Sequence, residues 1–148
     1  MTKTTFAPVG ERIADPLIEL ARCARRDRIV VAGARSRGLV FQLNRSGYHR
    51  VVTTANCGLP DGQFDAALVD WQEHSIKALA TTLEWLVHFM TPSGVLAVRI
   101  DSREDGASRN LALLLDGLRF HIEAETRREH DIVVAARRRD RAPTALAA

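Results

Sequence analysis

The chain has 148 residues, 46% of them hydrophobic, and it carries 21 Lys and Arg against 18 Asp and Glu. This length suits one domain with its own core and leaves no room for a second full domain. A net charge of +3 is too small to predict nucleic acid as a partner. The sequence shows no signal-peptide pattern and no run of roughly 18 apolar residues, so we expect a cytoplasmic protein without membrane spans.

Helix and strand patterns alternate from the first element onward. In ADPLIELARCARRD (14–27), Asp15 is predicted to cap an amphipathic helix that has Pro16 at its first position. The next segment, RIVVA (28–32), is largely apolar at successive positions, which indicates a strand buried on both faces of a parallel sheet. Further helices are predicted over 37–46, 73–90 and 108–118. Further strands are predicted over 49–55, 63–70, 95–100, 120–126 and 131–138.

The end of the chain predicts an antiparallel hairpin, because only the short segment RREH separates the last two strands. The segment TPSG (91–94) is predicted to be a turn from its composition. Strands that alternate with helices and end in a hairpin indicate an α/β fold with a mostly parallel sheet. We expect a single domain over 1–138. The remaining 139–148, which include Arg139 and Arg141, are expected to form a disordered tail.

Two segments connect this pattern to a known family. The segment GLPDGQFDAALVDW (58–71) is similar to the "LP…FD" stretch at the fourth strand of class I S-adenosylmethionine-dependent methyltransferases. TPSGVLAV (91–98) is similar to the family's "PGG" turn and fifth strand, and the element order resembles the family over about 11–138. The resemblance implies a three-layer Rossmann-like methyltransferase fold with strand order 2-1-4-5-7-6, an antiparallel seventh strand and S-adenosylmethionine as cofactor.

The turn after the first strand, GARSRG (33–38), departs from the family pattern. In the family this turn reads like GxGxG, since the backbone approaches the cofactor closely. Gly33 matches the first glycine, but Arg35 and Arg37 stand at the next two positions, unless Gly38 ends a turn that is one residue longer. Arginine at these positions would fill the space of the methionine part of the cofactor. We therefore expect S-adenosylmethionine to bind weakly or not at all.

The second strand lacks the acidic residue that binds the ribose hydroxyls in the family, and offers only Thr53, Thr54 and Asn56 at its end. Only 55–63 separate this strand from the next one, whereas the family has a helix and a further strand there. Nine extended residues span at most ~30 Å, which leaves no length for a crossover helix. The wall on the adenine side of the site is therefore expected to be thin or missing.

The resemblance places Gly33 and Asp70 side by side at the carboxyl ends of their strands, where open α/β sheets bind ligands. In one interpretation Asp70, Trp71 and His74 line a pocket there. In the other, Asp70 or Gln72 caps the following helix and Trp71 packs against it.

Arg35 and Arg37 also allow two interpretations, an anion site at the start of a helix or two exposed arginines. The five histidines and two cysteines form no recognisable metal or catalytic set, and no catalytic residue is assigned. Cys23 and Cys57 are expected to be free thiols.

Three functions remain open for the chain. The first is an active, small S-adenosylmethionine-dependent methyltransferase, and the second is a non-catalytic binding or assembly module with an eroded cofactor site. The third is an anion- or nucleotide-binding domain that uses Arg35 and Arg37. The shortened connection leaves 50–54 as a sheet edge, so we expect a homodimer through this strand or the apolar surface beside it.

Overall fold

The computed structural model describes residues 16–54, 62–71, 75–103 and 106–138. Within these ranges six strands form one sheet: β1 (Ile29–Gly33), β2 (Val51–Thr53), β3 (Phe64–Trp71), β4 (Met90–Asp101), β5 (Phe120–Arg127) and β6 (Asp131–Arg138). The helices are α1 (Pro16–Ala21), α2 (Ser36–Arg45), α3 (Ile76–Leu86), followed by the short 3-10 helix Val87–Phe89, and α4 (Ala107–Gly117).

The strand order across the sheet is β2-β1-β3-β4-β6-β5. β1 runs parallel to β2 and β3, and β3 runs parallel to β4, whereas β6 is antiparallel to both β4 and β5. When β3 to β6 are counted as the fourth to seventh strands of the family, this is the expected order 2-1-4-5-7-6. The expected α/β fold with an antiparallel C-terminal hairpin is confirmed.

Helices cover both faces of the sheet, which gives three layers. On one face α1 and α2 bury leucines such as Leu17, Leu39 and Leu43 against β1, β3 and β4. On the other face α3 and α4 bury Leu79, Leu83, Leu111 and other side chains. Because both faces are covered, the central strands are apolar at nearly every position, and this is why the sequence shows continuous apolar runs there.

The segment 91–94, predicted as a turn, lies inside a strand. Met90 pairs with Phe64, while Val95 pairs with Ala66, so the extra residues of β4 form an irregular bulge against β3. Proline and glycine composition marks such bulges as well as turns. The predicted helix 73–90 accordingly ends earlier, at Leu86, and the buried Met90 belongs to β4.

The first helix is shorter than the sequence pattern indicates. It ends at Ala21, because Arg22 has a left-handed backbone with φ of 52°. A turn follows in which the Asp27 carboxylate accepts a hydrogen bond from the Ala24 amide at 2.8 Å. Cys23, a free thiol, is held in this turn, and burial raises its pKa to about 12.

Some expectations fall outside the described residues. These are the N-cap at Asp15, the connection over 55–61, Cys57 and the tail 139–148. β2 is shorter than the expected strand 49–55. In the described part of the chain, no helix combines the length and apolar character needed to cross a membrane.

Candidate functional site

The order of the strands reverses between β1 and β3. From β1 the chain moves outward to β2 and then returns to β3 on the other side of β1. Ligands of open α/β sheets bind beyond the carboxyl ends of the strands at such a point. Gly33 and Asp70, the residues expected there, are register partners at the ends of β1 and β3.

Gly33 is fixed by the packing of β1 against β3. Its φ is +102°, and a Cβ atom at this position would lie 2.8 Å from the carbonyl carbon of Asp70 and closer still to its oxygen. The Ala34 amide donates to the same Asp70 oxygen at 3.0 Å. The fold alone therefore requires glycine here, whether or not a cofactor binds.

The backbone of the turn between β1 and α2 differs from that expected for a GxGxG turn. Arg35 has φ of −115°, and α2 begins at the next residue, so Arg37 is already helical. The Ser36 hydroxyl donates to the Gly33 carbonyl oxygen at 2.9 Å and closes the turn. Within 33–38 only Gly33 has a positive φ, so neither arginine is forced into a left-handed conformation.

Gly38 lies within α2 and does not end the turn, so the interpretation of a turn one residue longer is wrong. A Cβ atom added at Gly38 would meet no described atom within 4 Å. Arg35, Arg37 and Gly38 are all exposed. This end of α2 therefore presents two arginine side chains to solvent beside the reversal point.

Beneath this turn lies a buried ion pair. An Arg99 guanidinium nitrogen donates to Asp70 Oδ2 at 2.7 Å, and the two side chains are only 5% and 0% exposed. Asp70 and Arg99 are register partners on β3 and β4, on the face that α1 and α2 cover. No described residue donates a hydrogen bond to Asp70 Oδ1. The carboxylate expected to face a ligand is thus enclosed by the protein.

Arg99 was not identified from the sequence, although it is the single charged residue in the apolar strand VLAVRI (95–100). A charge inside a doubly buried strand requires a partner. This need for a partner was the signal in the sequence from which a buried ion pair at Arg99 could have been predicted. The partner itself depends on the register between β3 and β4, which a single sequence does not provide.

The expectation that Asp70 caps the following helix is wrong. Ser75 is the N-cap of α3, and its hydroxyl accepts a hydrogen bond from the Ala78 amide at 3.2 Å. Trp71 does pack near this helix, and its indole nitrogen donates to the Ser75 carbonyl oxygen at 2.8 Å. Because Asp70 and Trp71 are consecutive strand residues, their side chains point to opposite faces and do not line one pocket.

The other predicted site residues stand at the edge of this region or beyond it. Thr53 and Thr54 lie at the end of β2, where the Thr54 amide donates to the Val31 carbonyl oxygen at 3.1 Å. Asn56, Gln72 and His74 are outside the described residues. Within the described ranges no three His, Cys, Asp or Glu side chains are grouped so as to hold a metal ion.

A cavity of about 200 Å³ lies at the opposite end of the sheet, between the end of α1 and the hairpin. Its walls include Arg22, Val95, Glu123 and Arg137. The Arg137 guanidinium already donates to the Glu123 carboxylate at 3.0 Å and to the Ser93 carbonyl oxygen at 3.1 Å. This cavity contains none of the residues at the reversal point and does not extend the candidate site.

Comparison with known sequences does not identify a family for this chain. No protein-family model matches the chain. A stretch of 88 residues is 27% identical to a phosphoglycerate kinase of Plasmodium falciparum, and it covers 58% of this chain. The matched part is 20% of the kinase, so the chain spans about a fifth of this curated relative.

Solved structures give a clearer result. A Burkholderia thailandensis 1,6-didemethyltoxoflavin-N1-methyltransferase, solved with bound S-adenosylhomocysteine, has a TM-score of 0.57 at 18% identity over 78% of this chain and 72% of that one. A ribosomal protein L11 methylase from Lactobacillus delbrueckii subsp. bulgaricus has 0.60 at 16% identity over 83% and 75%. The [4+2]-cyclase SpnF has 0.64 at 14% identity over 82% and 78%. This chain therefore has the fold of the class I S-adenosylmethionine-dependent methyltransferases.

Proposed function

We propose that this domain is a methyltransferase-fold module with an eroded S-adenosylmethionine site, and that it acts as a non-catalytic binding or assembly module. The observation that carries the proposal is the turn between β1 and α2. Its one glycine that matches the family, Gly33, is required by contact with the Asp70 backbone. The next two glycine positions hold the exposed side chains of Arg35 and Arg37.

Two further features support the proposal. The end of β2 offers the hydroxyls of Thr53 and Thr54 in place of an acid that accepts hydrogen bonds from a ribose. The Asp70 carboxylate at the reversal point is held by Arg99 and has no exposed surface. One structural neighbour is a cyclase by name, so a shared fold does not by itself assign methyl transfer.

We expect no change in melting temperature when 1 mM S-adenosylmethionine is added to the wild-type chain. A ligand present at ~100 times its dissociation constant adds ~2.7 kcal/mol of stability. For a domain of this size that corresponds to a rise of roughly 5 to 11 °C. Differential scanning fluorimetry with and without the cofactor measures this, and S-adenosylhomocysteine serves as a second probe.

The variant Arg35→Gly/Arg37→Gly tests whether these two arginines are the reason that the wild-type chain does not bind the cofactor. If the arginines block the site, this variant gains a cofactor-dependent rise in melting temperature that the wild-type chain lacks. A rise of several degrees in the wild-type chain would contradict the proposal and restore the methyltransferase interpretation.

An assembly role has its own structural support at β2. This three-residue strand is the edge of the described sheet, and it pairs with β1 alone. The Arg50 carbonyl and the Thr54 amide bond to β1, so by the alternation of a parallel ladder the polar backbone groups of Val51 and Thr53 point away from it. We propose that a second copy pairs with these groups about a twofold axis.

A proline at Thr53 tests this homodimer. It removes one outward N–H group and leaves the bonds to β1 intact, which an edge strand tolerates. We expect the wild-type chain and Thr53→Val to scatter light as dimers at micromolar concentration, and Thr53→Pro to have half that mass. A monomer mass for the wild-type chain would refute the pairing.

A further inference from the structure

The positive charge of the chain is concentrated in its first half. Residues 16–54 contain eight arginines and no lysine, against only Glu19 and Asp27, which gives this segment a charge of +6. The whole chain has only +3, so the remaining residues are acidic in balance. The small net charge, which argued against nucleic acid, is therefore the sum of a basic segment, 16–54, and an acidic remainder.

The arginines of the two parts also differ in their partners. After residue 54 the structure describes eight arginines, and five of them form ion pairs with carboxylates: Arg99, Arg103, Arg127, Arg128 and Arg137. Among the eight arginines of 16–54, none forms an ion pair with a carboxylate of the described residues. Arg25 and Arg28 donate hydrogen bonds to neutral oxygens of Ser46 and Gln63, so the charge of this segment is not neutralised by a described carboxylate.

α2 arranges part of this charge in a row. Arg37, Phe41 and Arg45 follow one another at four-residue spacing, on the side of the helix away from the buried Leu39 and Leu43. Phe41 is 63% exposed, and the Arg45 guanidinium carbon lies 5.7 Å from the centre of its ring. α2 contains no acidic residue. This arginine–phenylalanine face is the outward surface of a regular helix.

Two more exposed arginines flank α2 in the chain. Arg35 directly precedes α2, and Arg50 directly precedes β2, which starts at the end of the sheet where α2 finishes. Both side chains are exposed. Arg37 and Arg45 are two helical turns apart, about 12 Å. The outward face of α2 therefore offers two cations in a line with an aromatic ring between them, and Arg35 and Arg50 add exposed positive charge near its two ends.

A row of cations with an exposed aromatic ring matches the chemistry of a single nucleic-acid strand. Guanidinium groups bind successive phosphates, and the aromatic ring stacks on an unpaired base. A duplex offers the same phosphates but keeps its base faces stacked inside, where Phe41 cannot reach them. A small anion would contact the arginines alone and would leave the exposed Phe41 ring in water.

We propose that the outward face of α2 binds single-stranded nucleic acid, with Arg37 and Arg45 on phosphates and Phe41 against a base. Arg35 and Arg50 add charge at the two ends of the row. The arginine–phenylalanine face lies on the opposite side of α2 from the sheet, but it shares Arg37 with the turn of the cofactor site, so Phe41 and Arg45 are the residues that test this proposal separately.

Fluorescence anisotropy of labelled 12-nucleotide oligo-dT and oligo-U with the full chain tests the proposal. Each arginine that neutralises a phosphate contributes about −0.7 to the slope of log affinity against log salt, so four contacts give roughly −3 between 50 and 200 mM NaCl. We expect Phe41→Ala to weaken binding about 5- to 160-fold. We expect Arg37→Gln and Arg45→Gln each to make the salt slope about 0.7 shallower.

The chain offers a matched control for each variant. Leu113 on α4 is 63% exposed, like Phe41, so Leu113→Ala removes the same kind of surface elsewhere. Arg127 is exposed and pairs with Glu125, so Arg127→Gln makes the same charge change away from α2. We expect both controls to bind as the wild-type chain does.

Four outcomes would overturn the proposal. The first is an absence of binding at 50 mM NaCl. The second is a loss of affinity in Arg139→Gln/Arg141→Gln with no loss in the α2 variants. The third is equal affinity for a duplex of the same length. The fourth is binding to anionic lipid vesicles that excess oligonucleotide does not displace.

Discussion

Replacing Arg99 with methionine is expected to lower the free energy of unfolding by about 3–5 kcal/mol. The change leaves the Asp70 carboxylate fully buried without the guanidinium that it contacts at 2.7 Å. An uncompensated charge in the protein interior is far more costly than a lost surface contact. Urea unfolding followed by far-UV circular dichroism measures the loss, which corresponds to a fall in melting temperature of roughly 6 to 20 °C.

Arg103→Met is the matched control, because Arg103 also pairs with an aspartate, at 2.9 Å, but is 70% exposed. Solvent screens an exposed pair of this kind, so we expect Arg103→Met to change stability far less than Arg99→Met. In the double variant Asp70→Leu/Arg99→Met we expect most of the lost stability to return, since an apolar pair of similar volume replaces a buried ion pair at little cost. If Arg99→Met costs no more than Arg103→Met, the buried pair has no structural role.

The sequence predicted the fold well because the signals for it are local. The apolar runs in β1, β3 and β4 and the two strands of the hairpin identify the elements, and their alternation with helices fixes the fold class. The bulge at 91–94 was predicted as a turn because proline and glycine serve both purposes. Only the pairing of Met90 with Phe64 and of Val95 with Ala66 separates the two cases.

The candidate site was harder to predict because it depends on contacts between distant residues. The sequence placed Gly33 and Asp70 together correctly, since the resemblance supplied the register of β1 and β3. It assigned Asp70 to a helix cap or a pocket, because the competing partner, Arg99, lies 29 positions away. A buried carboxylate pairs with a guanidinium that is close in space. Helix-cap patterns along the chain do not show which distant residue that is.

The two glycines of 33–38 are expected to respond in opposite ways to substitution by alanine. Gly33→Ala is expected to destabilise the chain by about 2–6 kcal/mol, from backbone strain of ~1–3 kcal/mol and a similar cost of displacing its neighbour. The strain follows from a φ of +102°, and the displaced neighbour is backbone, the Asp70 carbonyl group, which has no rotamer to change. Gly38→Ala is expected to stabilise the chain by up to about 1 kcal/mol, because Gly38 is helical with open space around its Cα.

Urea unfolding of the two alanine variants decides why the first glycine is present. If Gly33→Ala loses stability and Gly38→Ala gains it, close packing of β1 on β3 is sufficient to explain Gly33, and loss of cofactor binding in a Gly33 variant would report only unfolding. For this reason the arginine-to-glycine variants at 35 and 37 are the sounder probes of the cofactor site. If Gly33→Ala instead folds with nearly wild-type stability, the contact with Asp70 is not what requires glycine. The remaining reason for a glycine at this turn is then close approach of a ligand, and the proposal of an eroded site would have to be withdrawn.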